Sequence, residues 1–211
     1  MNQDKRRIRV VLALRKAGVA DTRVLAAMEE IPRHLFVPDA FIDKAYDDVA
    51  LPIGHHQTLS QPSVVGIMSE ALSVGERMKV LEVGTGSGYQ TAVLARLARR
   101  VYTVERHRPL MMGAEKIFSQ LCLSNITTRI GDGTLGWPEQ EPFSRIIVTA
   151  AAADVPPVLA DQLDEGGLMV VPVGHDEQSQ VIMRVRRQGS GFETEEIRQV
   201  RFVPLIPEDD I

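Results

Sequence analysis

The sequence contains very little cysteine and no long apolar segment, and each shortage excludes a class of protein. Cys122 is the only cysteine in 211 residues, so an internal disulfide framework is excluded and a reducing compartment is indicated. No stretch approaches the roughly 20 apolar residues of a membrane-spanning helix, and the apolar run at 10–14 is too short for a secretion signal. We therefore expect a cytoplasmic location. We also expect Cys122 to be a small buried residue, since apolar residues precede it at helical spacing.

The chain also lacks a charge excess of either sign. Its 24 lysines and arginines face 28 aspartates and glutamates, which gives a formal net charge of −4. This balance offers no electrostatic reason to expect nucleic acid or an anionic membrane as a partner. The length predicts a single domain spanning 1–211, with N-terminal helices and a substrate loop in 1–62 and an α/β core in 63–211. The oligomeric state stays open, and a monomer is favoured.

The most informative stretch, residues 79–105, has the pattern of a strand, a glycine-rich turn, a helix and a second strand. The sequence VLEV at 80–83 precedes Gly84, Gly86 and Gly88. Glycines let the backbone turn sharply and approach a ligand without a Cβ, and the following helix start leaves unpaired N–H groups at the same place. Glu105 ends the second strand at about the 20-residue distance expected for an acid that binds both hydroxyls of a ribose. The unit predicts a nucleoside-containing cofactor.

The glycine spacing favours S-adenosylmethionine over NAD. A dinucleotide-binding turn reads G-x-G-x-x-G, but here Tyr89 stands where the third glycine would be. With Glu82 the pattern becomes E-x-G-x-G-x-G, which resembles that of S-adenosylmethionine-dependent methyltransferases. The acids Glu82, Glu105 and Asp132 suit hydroxyl and amino groups and would repel a pyrophosphate, and we expect no basic group in these loops to compensate. Two alternatives stay open from the residues: an NAD-dependent oxidoreductase, and a protein that binds S-adenosylmethionine without catalysis.

The remaining pattern predicts an α/β fold. Helices are predicted at 4–17, 23–30, 62–72, 90–99, 110–121 and 155–163, the last closed by Gly166 and Gly167. Strands are predicted at 80–83, 101–104, 125–130, 143–149, 168–173, 180–186 and 192–204. The early strands fit a parallel sheet with helices on both faces, and the last strands fit antiparallel additions. Residues 39–62 fit neither pattern, so we predict a long loop that acts as a lid or substrate loop.

Other chemistries find little support in the sequence. No G-x-S-x-G elbow of a serine hydrolase is present, and no Lys-Ser or Lys-Thr follows Gly88 as a P-loop requires. The five histidines form no H-x-x-x-H pair and have no partnering cysteine, so we expect no metal site. The adjacent His55 and His56 are interpreted as a solvated loop feature.

The whole chain resembles the protein-L-isoaspartate O-methyltransferase family, whose members repair damaged aspartyl residues. The motifs that carry the resemblance are RHLFVP at 33–38, LPIG at 51–54, QTLSQP at 57–62, VLEVGTGSGY at 80–89, VER at 104–106, GDG at 131–133, VTAAA at 148–152, LDEGG at 163–167, VPVG at 171–174 and FVPL at 202–205. QTLSQP is specific to this family, whereas many methyltransferases share the glycine loop.

The resemblance implies a Rossmann-like methyltransferase fold, S-adenosyl-L-methionine as the cofactor, and isoaspartyl-containing proteins and peptides as substrates. It implies that Ser60 is the active-site residue. The cofactor-binding residues that it implies are Thr58, Leu59, Glu82, Gly84, Thr85, Gly86, Gly88, Glu105, Asp132 and Gly133. The sequence departs from the family pattern at His56, where glycine is usual, at Ser63, where a larger residue is common, and at Ser144, where aspartate is usual.

Overall fold

The computed structural model describes residues 3–175 and 179–207, with side chains from residue 8 onward; the outer ends of the predicted domain, 1–2 and 208–211, lie outside the described residues. The helices are α1 Gln3–Lys16, α2 Thr22–Glu30, α3 Pro62–Leu72, α4 Tyr89–Leu97, α5 Arg108–Gln120 and α6 Pro157–Asp161. The strands are β1 Leu51–Gly54, β2 Gln57–Leu59, β3 Lys79–Val83, β4 Arg100–Glu105, β5 Ile126–Ile130, β6 Phe143–Val148, β7 Leu163–Val173, β8 Val181–Gln188 and β9 Gly191–Gln199. Within these described ranges, every helix is too short or too polar to cross a bilayer.

Seven strands form one mixed sheet in the order β5-β4-β3-β6-β7-β8-β9. The five strands β3 to β7 run parallel, and β8 and β9 are added antiparallel. The predicted mixed sheet is therefore confirmed. From β3 the chain first builds the sheet towards β5 and then returns to add β6 on the other side of β3. Such a reversal opens a crevice at the carboxyl ends of the neighbouring strands, where ligands bind in folds of this kind.

Helices cover both faces of the central strands. On β3, Val80 belongs to an apolar cluster with α1 to α5, and the next residue, Leu81, belongs to a second cluster with α6. Both side chains are fully buried. This two-sided burial explains why the strands appear in the sequence as continuous apolar runs rather than as alternating ones.

The predicted long loop at 39–62 is wrong, because much of it is a β-hairpin. β1 and β2 pair antiparallel, and His55 and His56 connect them with φ values of 51° and 57°. Positive φ at both central residues gives a two-residue turn the twist that a hairpin needs. Histidine tolerates this region better than most side chains. The glycine that the family usually has at position 56 fits the same backbone geometry.

Two further expectations are wrong. α6 covers only Pro157–Asp161 and β7 already begins at Leu163, so Gly166 and Gly167 lie inside a strand instead of closing a helix. Gly166 has a φ of 70°, and the register between β6 and β7 shifts at this point, as it does at a β-bulge. Cys122 is exposed rather than buried. It lies beyond the end of α5, at a φ of 54°, so the apolar spacing of the helix does not extend to it.

One carboxyl group lies inside the core. Glu82 on β3 is fully buried, and its Oε2 accepts hydrogen bonds from Oγ1 of Thr91 at 2.5 Å and Oγ1 of Thr103 at 2.7 Å. Burial raises the pKa of Glu82 to about 8, because it disfavours the charged form more than the two hydroxyl groups favour it. The carboxyl group is therefore mostly protonated in the folded protein at neutral pH, whereas an unfolded chain would release the proton.

Replacing Glu82 with glutamine should remove the fall in unfolding free energy that the wild type shows as the pH rises. Between its ordinary pKa of 4.5 and its folded pKa of about 8, the folded protein holds a proton that the unfolded chain has lost. The wild type should then lose up to about 1.4 kcal/mol of unfolding free energy per pH unit as the pH rises. Glutamine does not titrate, so urea unfolding from about pH 5 to pH 8 should increasingly favour Glu82→Gln over the wild type. A difference that stays constant with pH would contradict a buried protonated carboxyl group.

Candidate active site

A cavity of about 350 Å³ opens at the carboxyl ends of β3, β4 and β6, where the sheet reverses its direction of growth. Its walls are the glycine loop after β3, the loop between β4 and α5, the β1–β2 hairpin and residues 202–206. The volume lies within the range of small-molecule sites. The cavity is therefore the place where the predicted glycine loop can meet the predicted family-specific segment.

The glycine loop is packed too closely to accept side chains at its ends. Gly84 and Gly88 have φ values of 95° and 90°, which favour glycine. A Cβ on Gly84 would lie 2.3 Å from Oγ1 of Thr149 on one side of the cavity, and a Cβ on Gly88 would lie 2.6 Å from a ring carbon of Phe118 in α5. The loop backbone is thereby fixed at both ends, and Gly86 lies between them on the cavity wall.

Glu105 joins two walls of the cavity. Its Oε2 accepts a hydrogen bond from the backbone N–H of Gly86 at 2.8 Å, and its Oε1 accepts one from the backbone N–H of His107 at 2.9 Å. The residue is only 6% exposed, yet it lines the cavity. A carboxylate offers about four acceptor positions, so two remain for donors from a ligand. Glu105 therefore ends β4 at the cavity wall, and its binding of a ribose stays a prediction.

Ser60 lies between two cavities. Thr58, Leu59 and Ser60 at the end of β2 line the first cavity. Thr58 and Ser60 also line a second cavity of about 660 Å³, which lies between α1, α3 and the segment that follows β9. The QTLSQP segment therefore separates the first cavity, at the glycine loop, from the larger second cavity.

The second cavity has a mixed lining of charged, polar and apolar residues. Lys16, Asp48, Arg198 and Arg201 contribute charged side chains of both signs. The backbone N–H of Ser63 at the start of α3 donates to Oδ1 of Asp48 at 2.8 Å, so Asp48 is fixed against the helix. A mixed wall of this kind can contact both the polar main chain and the side chains of a peptide.

The structure separates two of the predicted cofactor acids from the cavity surface. Among the described residues, the cavity lining includes Thr85 and Gly133 but neither Glu82 nor Asp132. Glu82 is linked to the glycine loop indirectly, through Thr103. The Oγ1 of Thr103 donates to Glu82 and lies 2.6 Å from the Oγ1 of Thr85 in the loop.

Asp132 contacts the turn that carries Gly133. Its Oδ1 accepts hydrogen bonds from the backbone N–H and the Oγ1 of Thr134, at 2.8 and 2.7 Å. Gly133 itself packs against β3, where an added Cβ would lie 2.5 Å from Cγ1 of Val83. Asp132 thus shapes the turn, and Gly133 forms the wall of the cavity.

Sequence reasoning missed the side chains that cover the cavity. His55 and His56 are exposed in a turn, as the interpretation of a solvated loop feature predicts, and they also line the cavity. The ring of His55 stacks on His107 with centroids 5.1 Å apart and planes 21° apart, and burial lowers the pKa of His107. The hairpin turn is thereby held against the loop after Glu105. The FVPL motif was a usable signal for the wall at 202–206.

One part of the sequence argument about charge is wrong. Arg106 follows Glu105, lines the cavity and donates from Nη1 to the backbone oxygen of Ile206 at 3.0 Å. A cation is therefore present at these loops, and charge alone does not exclude a ligand that carries phosphate. The glycine spacing remains the residue-level reason to prefer S-adenosylmethionine.

The comparison with sequence families gives one match over nearly the whole chain. The model described as protein-L-isoaspartate(D-aspartate) O-methyltransferase (PCMT) matches residues 5–210. The protein-L-isoaspartate O-methyltransferase of Rhodospirillum centenum is 56% identical over 99% of this chain and 95% of its own length. The enzyme of the same name from Paracoccus denitrificans is 59% identical over 96% of this chain and 94% of its own length.

Solved structures agree with this match. A structure of a protein-L-isoaspartate O-methyltransferase superposes with a TM-score of 0.82 and 28% identity over 94% of this chain, which spans 65% of the length of that protein. A structure from Plasmodium falciparum, determined in complex with S-adenosyl-L-homocysteine, shares the fold with a TM-score of 0.80 at 22% identity, over 93% of this chain and 96% of that one. The chain belongs to the protein-L-isoaspartate(D-aspartate) O-methyltransferase family.

Proposed function

We propose that this chain transfers the methyl group of S-adenosyl-L-methionine to the free α-carboxylate of L-isoaspartyl residues in damaged proteins and peptides. The observation that carries the proposal is the position of Ser60 between the cavity at the glycine loop and the second cavity. Membership of the family over residues 5–210 supports the reaction and the cofactor. The methyl ester would close to a succinimide, and hydrolysis would return part of the damaged residue to aspartate.

The first cavity would hold the cofactor, which supplies an electrophilic methyl group on a sulfonium. Glu105 would accept hydrogen bonds from the ribose hydroxyls while it keeps its two backbone donors. The glycine loop with Thr85 would approach the ligand through its backbone, and Gly133, positioned by Asp132, would border the adenine. Thr58 and Leu59 would close the side towards the substrate. Glu82 would act from the core through Thr103 and Thr85.

The second cavity would hold the isoaspartyl peptide, with its α-carboxylate directed to Ser60. A carboxyl group of pKa near 3.5–4 is almost fully ionised at pH 7, so the nucleophile needs no general base. Ser60 would donate a hydrogen bond that orients the carboxylate, and would not itself attack. Holding two reacting groups in line can contribute roughly 7–11 kcal/mol to lowering the barrier. The hairpin held by His55 and His107 would exclude water from the reacting groups.

The two alternatives that the residues left open have no specific observation in their favour. An NAD-dependent oxidoreductase would need a nicotinamide site, and the family match gives no support for one. A binding protein without catalysis would have no need of the QTLSQP segment that puts Ser60 between the two cavities. The methyltransferase is therefore the function that we propose.

Methyl-labelled S-adenosylmethionine and two peptides test the proposal directly. One peptide contains an L-isoaspartyl residue, and its twin contains aspartate at the same position. We expect base-labile label on the isoaspartyl peptide alone, because only its free α-carboxylate can occupy the position at Ser60. Equal label on both peptides would overturn the proposed reaction. The absence of label from both peptides would also overturn it, provided that the cofactor analogue S-adenosylhomocysteine still binds.

Changing Ser60 to alanine should slow turnover without weakening cofactor binding. The loss of one hydrogen bond to a charged group is worth about 1.5–3 kcal/mol, so kcat should fall by about tenfold or more. Calorimetry with S-adenosylhomocysteine should give an unchanged affinity. Ser119→Ala is the control, since that exposed hydroxyl on α5 bonds only its own helix at Glu115. An unchanged kcat in Ser60→Ala would remove the hydroxyl from the mechanism.

Changing Glu105 to glutamine should weaken cofactor binding, which Ser60→Ala should leave unchanged. The amide can still accept from one backbone N–H, but it loses charge-assisted acceptance from the ribose, and affinity for S-adenosylhomocysteine should weaken by about 1–3 kcal/mol. Glu115→Gln is the matched control, because Glu115 is exposed on α5 and accepts from Thr128 away from the cavity. Full affinity of Glu105→Gln by calorimetry would show that this carboxylate serves the loop and not the ligand.

A further inference from the structure

A fully buried arginine lies behind the site. Arg33 begins the 3-10 turn Arg33–Phe36 and has no solvent exposure. Within the described ranges, no carboxylate lies within ion-pair distance of its guanidinium. Burial lowers the pKa of Arg33, yet an arginine side chain keeps its proton in proteins. The core therefore contains a cation without an ion-pair partner.

Arg33 contacts three separate segments of the chain. Its Nε donates to the backbone oxygen of Ala45 at 2.8 Å, and its Nη2 donates to the backbone oxygen of Ser60 at 2.7 Å. Its Cζ lies 4.7 Å from the ring centroid of Tyr89, the first residue of α4 directly after the glycine loop. One side chain thus joins the segment before the hairpin, the residue after the hairpin and the cofactor loop.

Stability alone is a poor explanation for this arrangement. A buried charge pays a large desolvation cost, and apolar residues of similar size often stabilise a core as well or better. The specific property of arginine is a rigid fork of donors that can hold two carbonyl groups at fixed positions while its flat face stacks on an aromatic ring. Arg33 uses its Nε and Nη2 in this way, one of the two carbonyl groups belongs to Ser60, and its buried Nη1 has no hydrogen-bond partner among the described residues.

The carbonyl of Ser60 depends on this contact because neither neighbouring element supports it. β2 ends at Leu59 and α3 begins at Pro62, so Ser60 lies between a strand ladder and a helix. The hydrogen bond from Arg33 anchors the main chain of Ser60 at this point, and the side chain with its hydroxyl extends from that anchored main chain. Phe36 constrains Tyr89 from another side, since the two rings pack edge-on with their centroids 5.4 Å apart.

We infer that Arg33 is a positioning residue for the transfer reaction: it fixes the Ser60 backbone against Tyr89, so that the Ser60 hydroxyl keeps one direction relative to the cofactor cavity. The inference rests on the proposed function, because it assigns the purpose of Arg33 to Ser60. Arg33 would touch neither cofactor nor substrate. Its loss should therefore change turnover while the affinity for the cofactor stays the same.

The first test compares Arg33→Met with Arg145→Met. Arg145 is another arginine that donates to two backbone oxygens, and it is partly buried. Its acceptors are Ser73 and Ser144, at 3.2 and 2.6 Å, away from both cavities. We expect Arg33→Met to lower kcat by about 10- to 100-fold, the scale of a small misplacement of a reacting group. Affinity for S-adenosylhomocysteine should stay within about twofold, and Arg145→Met should keep its kcat. A normal kcat per cofactor-binding site in Arg33→Met would overturn the inference.

A double-mutant cycle with Ser60→Ala separates positioning from a general structural defect. If Arg33 acts through the Ser60 hydroxyl, Arg33→Met should lower kcat by less than about threefold once that hydroxyl is absent, because coupled residues are not additive. Fully additive losses would overturn the inference. Arg33→Lys serves the same cycle if Arg33→Met does not fold, since an ammonium lacks the rigid fork and the flat face with which the guanidinium contacts the two carbonyls and Tyr89. Failure of the wild type to methylate the isoaspartyl peptide would instead overturn the proposed function.

Discussion

The cavity depends on one carboxylate that holds two backbone segments. Glu105 ends β4 and accepts from the amides of Gly86 and His107, so the glycine loop and the loop that leads into α5 cannot separate. The reversal of strand order at β3 provides the crevice, and this pair of hydrogen bonds gives it a fixed shape. The other walls are attached to this frame, the hairpin through the stack of His55 on His107.

The site is built for positioning rather than for activating a nucleophile. The proposed nucleophile is already ionised at neutral pH, so the protein must supply a direction and a dry environment. Backbone amides, one serine hydroxyl and closely packed glycines are sufficient for that purpose. Two of the buried ionisable residues nearby fit the same plan, because Glu82 is linked to the glycine loop from the core and Arg33 holds the backbone oxygen of Ser60.

The sequence was sufficient for the parts of the site that depend on local patterns. The strands of the central sheet, the glycine loop and Glu105 follow from apolar runs and from spacing. The hairpin was not predictable, because His55 and His56 occupy turn positions that glycine or asparagine usually mark. Arg33 lies in the RHLFVP motif, outside the predicted helices and strands, and its contacts with Ala45 and Ser60 join residues distant in sequence. The wall at 202–206 had a signal only in the FVPL motif of the family resemblance, because no apolar or turn pattern connects residues so distant in sequence to the glycine loop.

The central claim is that cofactor and isoaspartyl peptide occupy two adjoining cavities that meet at Ser60. The most direct measurement is calorimetry of the isoaspartyl peptide with the protein alone and with the protein saturated with S-adenosylhomocysteine. Two adjoining sites predict that the peptide binds in both cases, and no more weakly when the cofactor product is present. Competition between the two ligands would contradict the account, because it would place them in the same cavity.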